Sequence, residues 1–134
     1  MNLLLDTHIW LWSLLEPEKL SSPARDALSS DENTLWLSPI STWEVLSLAE
    51  KGRLELDTVG QDWVDQALRA APMREAPLSH EIARESRRLS LPHQDPADRF
   101  IAATAKVLGL TLMTADQVLM RCDDLSIFPD PKQR

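Results

Sequence analysis

The stretch DPADRFIAATAKVLGLTLMTAD, residues 95–116, decides the fold, because it holds a complete helix–strand unit with a carboxylate at each end. Pro96 suits the first helical position, where its fixed φ is already helical and its missing amide costs nothing. Asp95 and Asp98 flank it as N-cap and third helical residue, where negative charge is favoured by the helix dipole. Gly109 follows the last apolar position and stops the helix. A strand then runs from Leu110 to Met113, and an aspartate, Asp116, stands just beyond it.

The chain opens in the same way. Asn2 to Leu5 is a short apolar run, and Asp6 stands where it stops. A carboxylate buried alone is costly, so a strand that delivers one needs a reason. Between these two units, TLWL (Thr34–Leu37) is a strand candidate closed by Ser38-Pro39, and the helical ISTWEVLSLAEKG follows, with Gly52 as its stop. The segment THIWLWSLLEPEKL reads as a helix ending near Pro17, and Ser22-Pro23 starts another. WVDQALRAA reads as a further helix, MREAPL as a strand, SHEIARESRRLSL as a helix ending before Pro92, and LSIF as the last strand. Strands alternating with helices imply crossover connections and an α/β domain with a mainly parallel sheet. Ligands bind such sheets beyond the carboxyl ends of the strands, which is where Asp6 and Asp116 fall.

Composition bounds the rest. The 134 residues (15.2 kDa) make one domain, 1–134, large enough for a proper core, with no repeat or linker visible. A single cysteine, Cys122, excludes an internal disulfide framework and suits a reducing compartment. No apolar run reaches membrane-spanning length and no signal-peptide pattern opens the chain, so a soluble cytoplasmic protein is expected. A net charge of −7 argues against nucleic acid in general, yet it is what a site for hard divalent cations requires.

Four acids stand at element boundaries or on apolar helix faces: Asp6, Glu44, Asp98 and Asp116. Each has a structural alternative. Asp6 can cap the helix that begins near Thr7, Asp116 can cap QVLM, and capping accounts better than chemistry for Asp95. Glu44 has the spacing of a capping box with Ser41, but Ser38-Pro39 offers a better helix start and puts Glu44 in the second turn, between Ile40 and Leu48. Four acids brought together at one sheet edge would repel each other, and a bound Mg²⁺ or Mn²⁺ resolves that repulsion. Competing chemistries are poorly supplied. The histidines, at 8, 80 and 93, are too scattered for a zinc cluster, and the three glycines form no phosphate loop.

LLLDTHIWLW, LSPISTWEV, DPADRFIAATA and LTLMTAD, in this order across nearly the full chain, resemble the PIN-domain ribonucleases, and more closely the VapC-like toxins of type II toxin–antitoxin systems. The resemblance implies a three-layer α/β/α sandwich around the parallel sheet and Mg²⁺- or Mn²⁺-dependent endonucleolytic cleavage of RNA. By motif, Asp6, Glu44, Asp98 and Asp116 become the catalytic, metal-holding acids, with Asp95 outside them or capping. Thr7 and Thr114 adjoin the acids as candidates to hold carboxylates or metal-bound water. Arg99, about 100° round the helix from Asp98, is expected to pair with an acid or to meet RNA phosphate, the structural pairing being preferred.

Rival readings are a catalytically silent module of the same fold, and a metal-dependent phosphatase or DNA nuclease. Arg84, Arg87 and Arg88 lie among Glu81 and Glu85, which favours a salt-bridged helix over an RNA contact. Trp10, Leu11, Trp12, Leu14 and Leu15, with Trp36 and Trp43, supply more apolar surface than one helix needs, and an amphipathic segment of another chain would fit it. The resemblance identifies that chain as a cognate antitoxin. It also implies a homodimer, of which the sequence gives no independent sign.

Overall fold

The structure is a computed structural model and describes residues 1–129. Strands β1 (Asn2–Leu5), β2 (Thr34–Leu37), β3 (Arg74–Glu75), β4 (Thr111–Met113) and β5 (Ile127–Phe128) form one sheet in the order β3-β2-β1-β4-β5. Every pairing is parallel, with Leu3 opposite Leu35 on one side and Thr111 on the other. The helices are α1 (Thr7–Leu15), α2 (Ser22–Ser29), α3 (Pro39–Glu50), α4 (Gly60–Ala70), α5 (His80–Arg88), α6 (Pro96–Leu108) and α7 (Gln117–Met120), with a 3₁₀ turn at Pro17–Lys19.

Successive strand residues point to opposite faces, and the core divides accordingly. Leu3, Leu5 and Met113 join Ile9, Trp10, Leu11, Trp63 and Val64 on one face. Leu4 and Leu112 join Ile82, Ile101, Ala102 and Leu119 on the other. Helices therefore cover both faces, giving the three layers that the resemblance implied. Strands buried on two sides need continuous rather than alternating apolar runs, which is why β1 is a run of leucines.

Local chemistry sets the boundaries. Gly109, at φ 66°, turns α6 back on itself and into β4 through Leu110, so the helix returns along the strand it feeds. Its first turn thereby comes to the carboxyl edge of the sheet. Several expected elements are shorter in the structure: β4 begins at Thr111 rather than Leu110, and β5 keeps only Ile127–Phe128 of LSIF. The strand in MREAPL keeps only Arg74–Glu75, with Ala76 donating one more bond to the Leu37 carbonyl before Pro77, which has no amide to offer. The helix expected to end before Pro92 stops at Arg88, because the Arg99 guanidinium takes the carbonyls of Ser86 and Leu89.

The apolar surface of α1 is also redistributed. Trp10 and Leu11 are core residues, Trp12 and Leu14 pack against that core, and Trp36 packs on the opposite face. Leu15 on α1 and Trp43 on α3 stay exposed, as do Val59 ahead of α4 and, elsewhere, Met1, Leu68, Leu78, Leu108 and Val118. Among the described residues, no helix is long and apolar enough to cross a membrane.

Candidate active site

Strand order reverses between β1 and its neighbour β4: the chain leaves β1 towards β2 and β3, then returns on the other side for β4 and β5. Loops diverge at such a point and leave a crevice at the carboxyl edge. Asp6 follows β1 there, and Thr114 to Asp116 follow β4.

Asp6 is only 6% exposed, and each of its oxygens is held. Oδ1 accepts from the Thr7 amide at 2.8 Å and Oδ2 from the Thr114 hydroxyl at 2.7 Å. Asp6 is therefore the N-cap of α1, as the structural alternative had it, and its charge is felt by Glu44 and Asp98. Burial raises its pKa most, the Thr114 and Thr7 bonds and His8 pull it down, and the Asp116 charge pushes it up, with a net rise.

The Thr114 hydroxyl is a relay, because it also accepts the Asp116 amide at 3.0 Å. Asp116 caps α7: its Oδ1 accepts from the amides of Val118 (2.8 Å) and Leu119 (3.1 Å). Its Oδ2 lies 2.9 Å from His93 Nε2. Partial burial raises the Asp116 pKa, but the His93 bond, the two amides and the His93 charge outweigh it, and the carboxyl titrates below its ordinary value. An ionised carboxylate only accepts, so Nε2 carries the proton in this bond.

Glu44 and Asp98 arrive from helices. Ser38 caps α3 through the Ile40 amide, which places Glu44 in the second turn and rules out the Ser41 capping box. Ser41 is instead buried and accepts the Thr7 hydroxyl at 2.8 Å, fastening α3 to the start of α1 one turn before Glu44. Burial raises the Glu44 pKa, the nearby Thr7 hydroxyl opposes this, and the charges of Asp95 and Asp6 add to the rise. Asp98 is pushed up to about 6, by burial first and then by Asp6, Asp95 and Glu44. Asp95 caps α6 by accepting the Ala97 amide at 2.9 Å, as capping required, while contributing charge to the cluster.

The acids are thus within electrostatic reach of one another. Among the described residues, none of Asp6, Glu44 and Asp98 pairs with a lysine or arginine. Among the described residues, no three His, Cys, Asp or Glu side chains stand close enough together to hold a metal ion between them as they are placed. The donor set, all oxygen and all anionic, fits a hard divalent ion.

Arg99 corrects an expectation. Among the described residues it pairs with no acid and, at 7% exposure, does not offer itself to phosphate. Its guanidinium donates to four carbonyls: Ser86 (2.7 Å), Leu89 (2.7 Å), Leu91 (2.9 Å) and His93 (3.0 Å). His93 is the residue that sequence reasoning passed over, since nothing in the sequence signals a bond reaching 23 positions ahead to Asp116. Glu85 meets Lys106 of α6 at 3.4 Å and Arg88 at 4.0 Å, whereas Arg84, Arg87 and Glu81 form no salt bridge among the described residues, so the expected pairing along α5 is met only at Glu85 and Arg88.

A model of the PIN domain family matches residues 3–125. The chain is 34% identical over 121 residues to Ribonuclease VapC22 of Mycobacterium tuberculosis, covering 88% of this chain and 89% of that protein. Its fold is similar to that of a chain in the Rickettsia felis VapBC2 complex bound to a promoter DNA fragment, with TM-score 0.73, 19% identity, and 95% and 97% of the two chains covered. A chain of the DNA-bound VapBC complex from Salmonella typhimurium gives TM-score 0.70 at 15% identity, covering 95% and 96%.

Proposed function

The chain belongs to the PIN-domain family, and from that premise we propose that it is a divalent-metal-dependent endoribonuclease, the toxin of a type II toxin–antitoxin pair. The observation that carries this reading is the gathering of Asp6, Glu44 and Asp98 at the sheet's switch point with raised pKa values and no basic partner among the described residues. Structural acids are normally paired or solvated; acids that feel one another's charge with no basic partner mark a candidate site for positive charge.

In this reading Asp6, Glu44, Asp98 and Asp116 hold Mg²⁺ or Mn²⁺. When bound, the ion activates water for attack on a phosphodiester and neutralises the charge that develops on the leaving oxygen. The chain's own residues set the geometry. Asp6 is fixed by the Thr7 amide and the Thr114 hydroxyl, so the carboxylate does not need to reorganise during reaction. Thr114 couples Asp6 to the Asp116 backbone, and the Thr7–Ser41 bond sets the distance of α3, and so of Glu44, from β1. Cleavage would leave 5′-phosphate and 3′-hydroxyl ends, as the family resemblance implies.

The test is cleavage of RNA by the purified protein with Mn²⁺ or with EDTA, beside Asp6→Asn and Asp98→Asn. Both variants should lose at least about a hundredfold in rate while keeping the fold, because each removes a charge from the ion's shell. Equal cleavage in EDTA would end this reading. Running single-stranded DNA and a phosphomonoester in the same assay separates an endoribonuclease from a DNA nuclease or phosphatase. A melting temperature unmoved by Mn²⁺ would instead favour the catalytically silent module.

The proposed partners are RNA and a cognate antitoxin, with a homodimer as the assembly and the cytoplasm as the location. The exposed apolar side chains of Leu15, Trp43 and Val59 support a protein partner.

A further inference from the structure

The segment from Leu89 to Asp95, between α5 and α6, has no regular secondary structure, yet it is tightly held. Arg99 takes the carbonyls of Leu89, Leu91 and His93 within it, and that of Ser86 just before it. One side chain thus does for this segment what a strand partner would do, by satisfying successive backbone acceptors. From the strap so formed, the His93 side chain, 12% exposed, meets the Asp116 carboxylate at 2.9 Å. His93 Nδ1 is buried without a hydrogen-bond partner among the described residues, so the ring is held by its backbone, by packing and by Asp116 alone.

Asp116 has little other restraint on its outer oxygen. The amides of Val118 and Leu119 both go to Oδ1, and Oδ2 receives only the imidazole among the described residues. Each carboxylate oxygen has two acceptor directions, so with His93 in place Oδ2 keeps one free. Without the imidazole the carboxylate can swing about the Oδ1 contacts. We propose that His93 is a positioning residue: its Nε2–H fixes the free acceptor direction of Asp116 towards the metal site, and Arg99 on α6 holds His93 in place through its backbone. This rests on the nuclease reading above. It makes one helical turn responsible for two acids, Asp98 directly and Asp116 through Arg99 and the strap.

The experiment is Mn²⁺ titration of the full chain, followed by melting temperature and by calorimetric affinity, on the wild type and on His93→Ala, His93→Gln and His93→Asn. Loss of a hydrogen-bond partner to a ligating side chain typically weakens metal affinity about 10–100-fold. His93→Ala should fall in that range. His93→Gln, whose amide nitrogen reaches nearly as far as Nε2, should stay within about threefold of wild type, while the shorter His93→Asn should resemble alanine. If His93→Ala fails to fold, the Gln–Asn contrast alone decides. Wild-type affinity in His93→Ala or His93→Asn, even with a lower melting temperature, would reduce His93 to a structural cap. Equal weakening in His93→Gln would show that the donor is not what matters and would also overturn the proposal. A wild type that binds no Mn²⁺ overturns the nuclease reading and the role of His93 together, whereas loss confined to the contrast among variants overturns His93 alone.

Discussion

Thr114 carries more of the site than any other uncharged residue. Its hydroxyl donates to a buried carboxylate and accepts a backbone amide, so Thr114→Val strands both while keeping the shape. Hydrogen bonds to charged groups contribute about 1.5–3 kcal/mol, and urea unfolding should show a loss of that order, largely restored in Thr114→Ser. Asp98 acts in the opposite sense. Its folded pKa, about 6, lies above the ordinary value of 3.8, so between these values the folded state binds more protons than the unfolded one. Stability from this group therefore falls as pH rises from about 4 to about 6. Metal-free protein should melt higher at pH 5 than at pH 7, and Asp98→Asn should flatten that slope and raise the melting temperature at pH 7. A variant slope equal to wild type would mean that Asp98 is not crowded.

At the scale of elements, α6 is the piece on which the site depends. Asp95 caps it, Asp98 and Arg99 project from its first turn, and Gly109 reverses the chain into β4. A Cβ at Gly109 would meet open space, so Gly109→Ala tests conformation alone. The left-handed φ of 66° should cost about 1–2 kcal/mol, measurable as a lower unfolding midpoint with unchanged Mn²⁺ affinity. Arg99→Met is the severe counterpart. It leaves four carbonyls without their donor, and more than about 3 kcal/mol should be lost if even half find no water.

The whole molecule presents a net charge of −7 and an uneven distribution of apolar surface. Trp43 is 55% exposed on α3, one residue before Glu44, so a partner that covers it lies close to the acids. A basic, amphipathic antitoxin segment suits both features. Co-expression with the neighbouring small reading frame should yield a co-purifying partner that relieves growth arrest. Trp43→Ala should weaken that capture by about thirtyfold, the order expected of a tryptophan hot spot, without altering the Mn²⁺ response of the free chain. A partner that binds both forms equally would place its contact elsewhere.

Local signals in the sequence were enough to locate the strands and most helix boundaries and to nominate Asp6, Glu44, Asp98 and Asp116 as candidates. Pro at first helical positions, Gly109 at a helix end, and apolar runs closed by aspartate each follow from backbone sterics or from the cost of burying charge. They hold whatever the rest of the chain does. For Asp6 and Asp116 the sequence left capping and a place in the site as alternatives, and the structure shows both as helix N-caps. Tertiary structure alone decided the strand order that opens the crevice between β1 and β4, and the side chains that meet across it. Arg99 shows why. Asp95 and Asp98 stand just before it in sequence, but its guanidinium donates instead to four carbonyls 6 to 13 positions away, brought close only when α5 packs on α6. His93 and Ser41 are the same case: short polar side chains whose partners lie 23 and 34 positions off, fixed by packing that no local pattern encodes.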